Sequence, residues 1–214
     1  TGSNTKLVVG HSSSEFYINR YAGVNPANGD ALWLTKDDEL TTEYNEADKV
    51  MIGKSFVAPW QGGFGTTISW NGLSLSSMFS WVANRWMINN DRFFEESNGL
   101  YSVYNQSRRL LYDRWKKPGD ITDIPRYGIT PQMDSRFLEN ASFLRLKNLT
   151  LNYTLPASLL KKSKAIERAN VYIQGQNLFT ITDFTGIDPE ATGNVYQAQY
   201  PMSRQFTLGL DITF

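Results

Sequence analysis

The stretch Arg204–Phe214, with the sequence RQFTLGLDITF, decides the fold of this chain. Successive side chains of a strand point to opposite faces, so the stretch predicts a strand with one apolar face and one polar or small face. An exposed apolar strand promotes aggregation of a soluble protein, whereas a membrane barrel turns that face towards lipid and pairs the strand's free edge. We expect five residues of the apolar register to serve barrel assembly and closure: Phe206, Leu208, Leu210, Ile212 and Phe214.

Composition leaves few other classes open. The 214 residues include 21 basic and 21 acidic side chains, and this balance gives no indication of a nucleic-acid partner. Mean hydropathy is −0.40, and no apolar run approaches the length of a transmembrane helix. Alternating barrel strands average to such modest hydropathy, and an aromatic content of 14% is typical of a barrel with aromatic girdles at both membrane interfaces.

The sequence contains no convincing constellation for catalysis or for a cofactor. Cysteine is absent and the single histidine, His11, lies in a Ser-rich stretch, so neither a metal cluster nor a catalytic triad is predicted. Acidic pairs occur in loops of mixed charge, and Asp188-Pro189-Glu190 is interpreted as an Asx-type turn. The chain begins without an initiator Met or a signal peptide, and we therefore expect it to be part of a longer exported protein.

Seven stretches alternate as strands do. Asn71-Gly72 lies between the third and the fourth and is the strongest two-residue hairpin signal, because both of its positions require positive φ. The strands of this hairpin can extend for about ten residues, which is the length of a tilted membrane strand. The seven predicted strands are residues 15–23, 31–35, 63–70, 73–84, 141–155, 170–182 and 204–214.

The fifth predicted strand changes phase at Lys147-Asn148. Leu144 and Leu146 share one register, whereas Leu149 and Leu151 share the other. An extra residue in a β-bulge would restore one continuous apolar face, so a bulge is predicted there.

Connections between the seven strands alternate between short and long, which is the pattern of outer-membrane barrels with brief periplasmic turns and extended outer loops. This alternation places the C-terminus on the periplasmic side.

The longest connection, residues 85–141, is rich in Arg, Asp and Tyr. Apolar residues between Leu100 and Trp115 recur at helical spacing, which predicts one short helix within this loop. Loops of this length usually carry function or are disordered. We expect the aromatic side chains of this loop to stack on sugar rings or peptide side chains, or to anchor the loop onto itself or onto a partner protein. The candidate contact residues are Trp86, Tyr104, Tyr112, Trp115 and Tyr127.

Several segments resemble the C-terminal region of the SusC-like (RagA-type) TonB-dependent outer-membrane transporters of the Bacteroidota. The most specific lie between residues 141 and 214, and Tyr21–Pro26 and Asp123–Tyr127 add weaker matches. The specific segments are ASFLRLKNLTL (141–151), YTLP (153–156), VYIQGQNLFT (171–180), GIDPE (186–190) and the final stretch from Tyr200 to Phe214.

The resemblance implies an antiparallel barrel of about 22 strands, plugged by an N-terminal domain, of which this chain forms about seven C-terminal strands and their outer loops. It implies import of glycan or peptide fragments, with a SusD-like surface lipoprotein, the TonB complex, outer-membrane lipid and the barrel assembly machinery as partners. Phe214 then belongs to the family's assembly signal. The alternative of a different class is a soluble all-β carbohydrate-binding module of a secreted protein.

Overall fold

A computed structural model describes residues 4–101, 103–160 and 165–214, and these residues are predominantly β. The strands in chain order are β1 (Glu15–Ile18), β2 (Arg20–Val24), β3 (Ala31–Leu34), β4 (Leu40–Thr41), β5 (Val50–Ser55), β6 (Trp60–Trp70), β7 (Leu73–Ala83), β8 (Trp86–Asn89), β9 (Leu138–Asn140), β10 (Phe143–Thr154), β11 (Arg168–Thr182), β12 (Val195–Tyr196) and β13 (Gln205–Thr213). The helices are α1 (Asn90–Glu95), α2 (Arg109–Tyr112) and α3 (Ala157–Leu160), with 3-10 turns at Glu46–Asp48 and Ser135–Phe137. None of these helices is long and apolar enough to cross a bilayer.

The described residues form two units. The sheet unit comprises those within Trp60–Ala83, Ser142–Asp183 and Tyr200–Phe214. The loop unit comprises those within Thr1–Pro59, Asn84–Ala141 and Phe184–Gln199. The all-β prediction is confirmed, since both units are built on antiparallel sheets and the only parallel pairing between strands joins β12 to β8 among the residues described.

The sheet unit contains one five-stranded antiparallel sheet with the order β13-β11-β10-β7-β6. The predicted hairpin is confirmed, because Trp70 pairs with Leu73 and the turn residues Asn71 and Gly72 have φ of 48° and 84°. Left-handed backbone at both positions matches the twist of the strands, and Asn-Gly adopts it at little cost. The hairpin strands are both 11 residues long.

The predicted bulge in β10 is also confirmed. The pairing of β10 with both β7 and β11 shifts register between Leu146 and Asn148. Leu146 therefore stands opposite Phe79, while Leu149 stands opposite Ser77 on the same face of the sheet. One irregular step at Lys147 keeps the leucines on both sides of it on one face.

The first two predicted strands occupy a different place from the one expected. Residues 15–24 form β1 and β2, with Asn19 between them, and β3 follows at Ala31–Leu34. β1 pairs with β5, and β2 pairs with β3 and β4, in small sheets of the loop unit. The sheet unit therefore contains five of the seven predicted strands. The reason is length, because strands of four or five residues alternate as wall strands do yet are too short to span a bilayer.

The helix prediction for residues 85–141 is partly wrong. The described part of this connection contains two short helices, α1 and α2, and the strands β8 and β9. The residues described between Leu100 and Tyr104 form turns, because Asn98 and Gly99 have φ of 53° and 104° and reverse the chain. The side chains of Leu100 and Val103 are exposed, so their helical spacing did not indicate a buried helix face.

The core of the loop unit lies on both sides of β8. Ile88 is buried against Phe16, Ile18, Phe137 and Leu138. Its neighbour Met87 is buried in a second cluster with Ala141, Phe184, Ala191 and Tyr196. Successive residues of a strand point to opposite faces, so this four-residue strand fills two cores at once.

The predicted turn at Asp188 is confirmed, since its Oδ1 accepts the backbone N–H of Glu190 at 2.9 Å.

Candidate functional site

The five-stranded sheet has an apolar face that continues across all five strands. Residues directly opposite each other on neighbouring strands share a face, so the register defines its rows. The first row consists of Trp70, Leu73, Tyr153, Val171 and Leu210. The second row consists of Ile68, Leu75, Leu151, Ile173 and Leu208. Beyond the bulge, Phe64, Phe79, Leu146 and Phe179 form a further row. We call this surface the apolar face.

Most of the apolar face is exposed, although its residues are hydrophobic. Ile68 is 64% exposed and Trp70 77% exposed at one edge strand, and Leu208 is 77% exposed at the other. Exposed apolar surface on this scale marks an interaction with a membrane or with another molecule.

The opposite face of the same strands is polar. One of its rows consists of Thr67, Ser76, Thr150, Gln174 and Thr207. Hydroxyl groups pair across the strands here, with 2.9 Å between the oxygens of Thr67 and Ser76 and 3.1 Å between those of Ser69 and Ser74. Such a face is solvated readily, so the two sides of one sheet require two different solvents.

Aromatic side chains lie towards both ends of the apolar face. Trp60 and Trp70 are the first and last residues of β6 and share one face, at 67% and 77% exposure. Ten steps of about 3.3 Å, tilted by about 40°, project to a height of about 25 Å, which matches the apolar band of outer-membrane barrels. Phe64 stacks on Phe79 at 5.0 Å between ring centroids, and Phe179 meets Phe79 edge-on at 6.4 Å.

The predicted assembly residues lie on one edge of this sheet. Phe206, Leu208, Leu210 and Ile212 belong to β13, and Phe214 follows its last residue. They are exposed at 72%, 77%, 58%, 40% and 78%, respectively. β13 pairs with β11 alone among the described strands, so its outer edge has no ladder partner there.

Two of the five predicted contact residues are packed inside the loop unit. Trp86 packs against the core around Phe16, and the Lys54 ammonium lies 3.6 Å from its ring centroid. Trp115 donates from Nε1 to the carbonyl of Pro26 at 3.2 Å, and its ring covers Gly29 so closely that any side chain there would collide with it. These two tryptophans hold the connection 85–141 against residues 16–54 of the loop unit, which is neither anchoring of this connection onto itself nor contact with a ligand.

The other three predicted contact residues are exposed. Tyr104, Tyr112 and Tyr127 are 58%, 63% and 66% exposed. Arg108 lies over the Tyr112 ring at 5.6 Å, and Arg114 lies over the Tyr127 ring at 5.3 Å. Tyr112 also lines a surface cavity whose wall includes Lys116 and Lys117. They remain candidates for contact with a ligand or a partner.

A cluster of five charged residues in the loop unit was not predicted from the sequence. We call Arg92, Glu96, Arg109, Asp123 and Glu139 the charged cluster. Arg92 contacts Glu96 at 2.9 Å, Asp123 at 3.1 Å and Glu139 at 3.1 Å, and Arg109 contacts Glu96 at 2.5 Å and Asp123 at 2.7 Å. Asn89 caps α1 by accepting the backbone N–H of Arg92 at 3.1 Å, and the four-residue spacing brings Arg92 and Glu96 together.

The electrostatics of this cluster are set by burial and by the two guanidinium groups. Burial alone would raise the pKa of Asp123, but the hydrogen bonds and charge of Arg109, with the charge of Arg92, lower it overall. Glu95 shows the opposite balance. Burial raises the pKa of Glu95, and the neighbouring charges of Asp91 and Glu96 raise it further.

Sequence spacing carries a signal for only part of the charged cluster. Arg92 and Glu96 are four residues apart, which is a recognisable helical pair. Asp123 and Glu139 lie 31 and 47 positions from Arg92 and meet it only through the tertiary fold. No local pattern marks such contacts.

No protein-family model matches the chain. TonB-dependent receptor P26 of Formosa agariphila is 31% identical over 99% of this chain, which covers 24% of that receptor. TonB-dependent receptor SusC of Bacteroides thetaiotaomicron is 26% identical over all of this chain, which covers 21% of it. The RagAB peptide importer in its open-open state superimposes with a TM-score of 0.87 at 40% identity, over 98% of this chain and 25% of that one. A second RagAB peptide transporter structure gives 0.88 at 42% identity, over 94% and 22%.

Proposed function

Because this chain is homologous to about a quarter of a SusC-like TonB-dependent receptor, we propose that it forms C-terminal barrel wall and outer loops of an outer-membrane nutrient importer. The observation that carries the proposal is the apolar face, which is continuous over five strands and exposed. In a barrel, lipid would solvate the apolar face, and water in the lumen would solvate the polar face. The alternative of a soluble carbohydrate-binding module would require the apolar side chains to be buried against a second layer. The role proposed is transport and not catalysis.

The sheet supports a specific place in a larger barrel. β6 and β13 form its edges, and each has a strand on one side only among the described residues. A spanning sheet cannot leave an edge open in hydrocarbon, so further strands are proposed to continue the wall at both edges and to close a barrel of about 22 strands. The short turn at Asn71-Gly72 is assigned to the periplasmic side, and so is the C-terminus, where Phe214 serves the barrel assembly machinery.

The proposed partners follow from the homology. SusC names one relative, and the solved neighbours are RagAB assemblies described as peptide importers. We extend to this protein a SusD-like surface lipoprotein, energy supply by the TonB complex through the family's N-terminal region, and glycan or peptide fragments as cargo. Tyr104, Tyr112 and Tyr127, the exposed members of the predicted contact set, are the residues we assign to cargo or lipoprotein contact.

The test is membrane assembly of the full-length receptor that carries this chain. It should sediment with outer membranes and migrate faster on gels before heating than after, as a closed barrel does. Deleting Phe214 should block this assembly, and Phe214→Trp, which keeps a terminal aromatic, should restore it. Recovery of the intact receptor in the soluble fraction, or migration that heating does not change, would refute the barrel.

A further inference from the structure

The surface cavity beside Tyr112 combines charges that the wall and loop roles do not explain. It has a volume of about 770 Å³ and is formed by one stretch of the loop unit, residues 112–123. Its wall includes three acids and three bases: Asp113, Asp120, Asp123, Arg114, Lys116 and Lys117. The acids and the bases of this wall differ in whether other groups of the protein already engage them.

Two of the three acids are paired within the loop unit. The Asp123 carboxylate lies 3.1 Å from Arg92 and 2.7 Å from Arg109. The Asp113 carboxylate lies 3.3 Å from the Nε of Arg109. The negative charges of Asp113 and Asp123 are therefore compensated by guanidinium groups that do not line this cavity.

The third acid, Asp120, holds the turn that carries both lysines. Its Oδ2 accepts the backbone N–H groups of Lys116 and Lys117, both at 3.0 Å. The N–H of Gly119 in the same turn donates to the carbonyl of Pro26 at 2.8 Å, which holds the turn against the rest of the loop unit. Asp120 therefore fixes the backbone from which the two exposed lysine side chains project.

The three bases of the wall are not engaged in the same way. None of Arg114, Lys116 and Lys117 forms an ion pair with a described residue. The Arg114 guanidinium instead lies over the Tyr127 ring, at 5.3 Å from its centroid. Arginine and lysine side chains carry hydrogen-bond donors and no acceptor. The wall therefore offers donors and positive charge to a ligand.

The backbone at Arg114 is held in place from both sides. Arg114 forms a parallel bridge with Ile124, whose side chain is fully buried. The next residue, Trp115, donates its backbone N–H to the carbonyl of Ile124 at 3.0 Å and its Nε1–H to the carbonyl of Pro26 at 3.2 Å. A binding group on a fixed backbone loses less conformational freedom when the ligand binds, and this preorganisation favours affinity.

The chemistry of these donors selects a carboxylate. A guanidinium group presents parallel N–H donors that match the two oxygens of a carboxylate, and ammonium groups add charge from other directions. Tyr112 and Ile121 line the same cavity at 63% and 97% exposure, so apolar surface is available for the methylene groups of an acidic side chain. Three bases without ion-pair partners would repel a cationic ligand.

We propose that this cavity binds a carboxylate group of the cargo, so that the importer favours peptide fragments with an acidic side chain. The proposal rests on the proposed function and names the class of substrate for it. Arg114 binds the two carboxylate oxygens, and Lys116 and Lys117 add hydrogen bonds and charge. Tyr112 and Ile121 contact the aliphatic part of the acidic side chain.

The test uses the purified full-length receptor and two tripeptides, Ala-Glu-Ala and Ala-Gln-Ala, both capped at the two ends. The two differ in one carboxylate alone. Calorimetric titration at low salt should show the glutamate peptide binding about tenfold more tightly, as one charge-assisted hydrogen bond provides. Added salt should reduce this preference, because it screens exposed charges.

Substitutions of the bases should remove the preference. Arg114→Gln, and the double change of Lys116→Gln with Lys117→Gln, should each bring the two affinities to within about threefold of each other. Lys36→Gln, which removes an exposed ammonium of the loop unit outside the cavity wall, is the matched control and should keep the preference.

A further variant covers the case in which the loss of Arg114 disturbs the loop. Ile121 lines the cavity and is 97% exposed, so Ile121→Glu places a carboxylate there without touching the core. It should abolish the preference, because this carboxylate occupies the bases, and Ile121→Gln should retain it. Trigalacturonic acid and its neutral methyl ester are a second pair of probes, which separates a sugar carboxylate from a peptide carboxylate.

Each outcome decides the proposal. A glutamate preference that is lost in Arg114→Gln and Ile121→Glu and kept in Lys36→Gln supports it. Equal affinities in a receptor that still shows the heat-dependent gel shift overturn the carboxylate site and leave the barrel standing. Binding of neither peptide at millimolar concentration also overturns it, as does a preference that survives in both Arg114→Gln and Ile121→Glu. Discrimination between the sugar probes alone overturns the assignment to peptides. Failure of the unmodified receptor to enter membranes refutes the proposed function instead.

Discussion

The sheet unit and the loop unit differ in where their apolar side chains lie. All 11 residues of β6 are exposed, and those of β13 are nearly all exposed. In the loop unit, Phe16, Ile18, Ile88 and Phe137 are fully buried. The loop unit thus has a core of its own, whereas the sheet unit presents its hydrophobic side chains outward.

This difference separates two sources of stability. If the five-stranded sheet lies in hydrocarbon, as proposed, its backbone ladder holds it together, because an unpaired N–H or C=O costs several kcal/mol there, and its side chains need only match the solvent on each face. The loop unit is held by packing and by the charged cluster, where a buried charge is tolerated only while its partners remain. Substitutions in the two units should therefore destabilise the protein in different ways.

The largest effect is expected in the charged cluster. Arg92→Met leaves Glu96, which is 1% exposed, with Arg109 as its one ionic partner. Removing one side of a buried ion pair costs about 3–5 kcal/mol, so hydrogen exchange in residues 84–141 should accelerate strongly. The heat-dependent gel shift of the full-length receptor should persist, because no residue of the charged cluster belongs to the five-stranded sheet.

Arg108→Met is the matched control for that change. Arg108 is exposed, and its described side-chain contact is the Tyr112 ring at 5.6 Å. Its loss should leave hydrogen exchange near that of the unmodified protein. Equal exchange rates in the two variants would contradict the structural role of the charged cluster.

The next largest effect is expected on the apolar face. Leu208 lies near the middle of β13 opposite Ile173, and Thr207 lies on the other face opposite Gln174. Leu208→Arg should cost about 2–4 kcal/mol at the bilayer midplane, whereas Thr207→Arg on the polar face should cost much less. Urea titration of folding in lipid vesicles, followed by the gel shift, measures both.

The order of these two costs decides the orientation of the wall. If Thr207→Arg destabilises the receptor more than Leu208→Arg does, the apolar face is not the one in contact with lipid. Equal costs would mean that neither face lies in hydrocarbon.

The five-stranded sheet was predictable from the sequence because the patterns that specify its strands and its hairpin turn are local. Alternation with a period of two identified five long strands, and the phase change at Lys147 located a bulge that the structure contains. Asn71-Gly72 identified the tight turn because few other dipeptides adopt positive φ at both positions. None of these signals requires knowledge of residues far away in the sequence.

The loop unit was poorly predictable because its decisive contacts are distant in sequence. β8 and β9 have four and three residues, which are too few to show a period. They pair Ile88 with Leu138 and Trp86 with Asn140, residues that are far apart in the sequence. The apolar spacing near Leu100 indicated a helix face, yet its side chains are exposed. Partner choice for such segments is set by the tertiary fold.

A smaller effect is expected where a ring covers a glycine on the polar face of the wall. Gly209 stands opposite Tyr172, and a Cβ built on it would overlap the tyrosine ring. Gly209→Ala should therefore cost about 1–3 kcal/mol in the urea titration. Adding Tyr172→Ala should recover part of that loss, since the two changes act on one contact. Strict additivity of the two costs would show that the ring does not rest on Gly209.

The smallest effect is a pH dependence confined to the loop unit. The Arg109 hydrogen bond and charge lower the pKa of Asp123, so its stabilising contribution is present above the ordinary value of 3.8 and is lost as pH falls through the lower, folded value. Asp123 is 43% exposed, so solvent screening limits the contribution to about 1 kcal/mol. Asp123→Asn should destabilise the loop unit at neutral pH. The difference in unfolding free energy from the unmodified protein should become smaller below pH 3.8, the ordinary pKa of an Asp side chain. Denaturant titrations followed by tryptophan fluorescence measure this difference. Asp113→Asn, which removes a carboxylate 3.3 Å from the Arg109 Nε, should follow the acid profile of the unmodified protein. If the difference in unfolding free energy between Asp123→Asn and the unmodified protein stayed constant with pH, the Asp123 carboxylate would not contribute to the stability of the charged cluster.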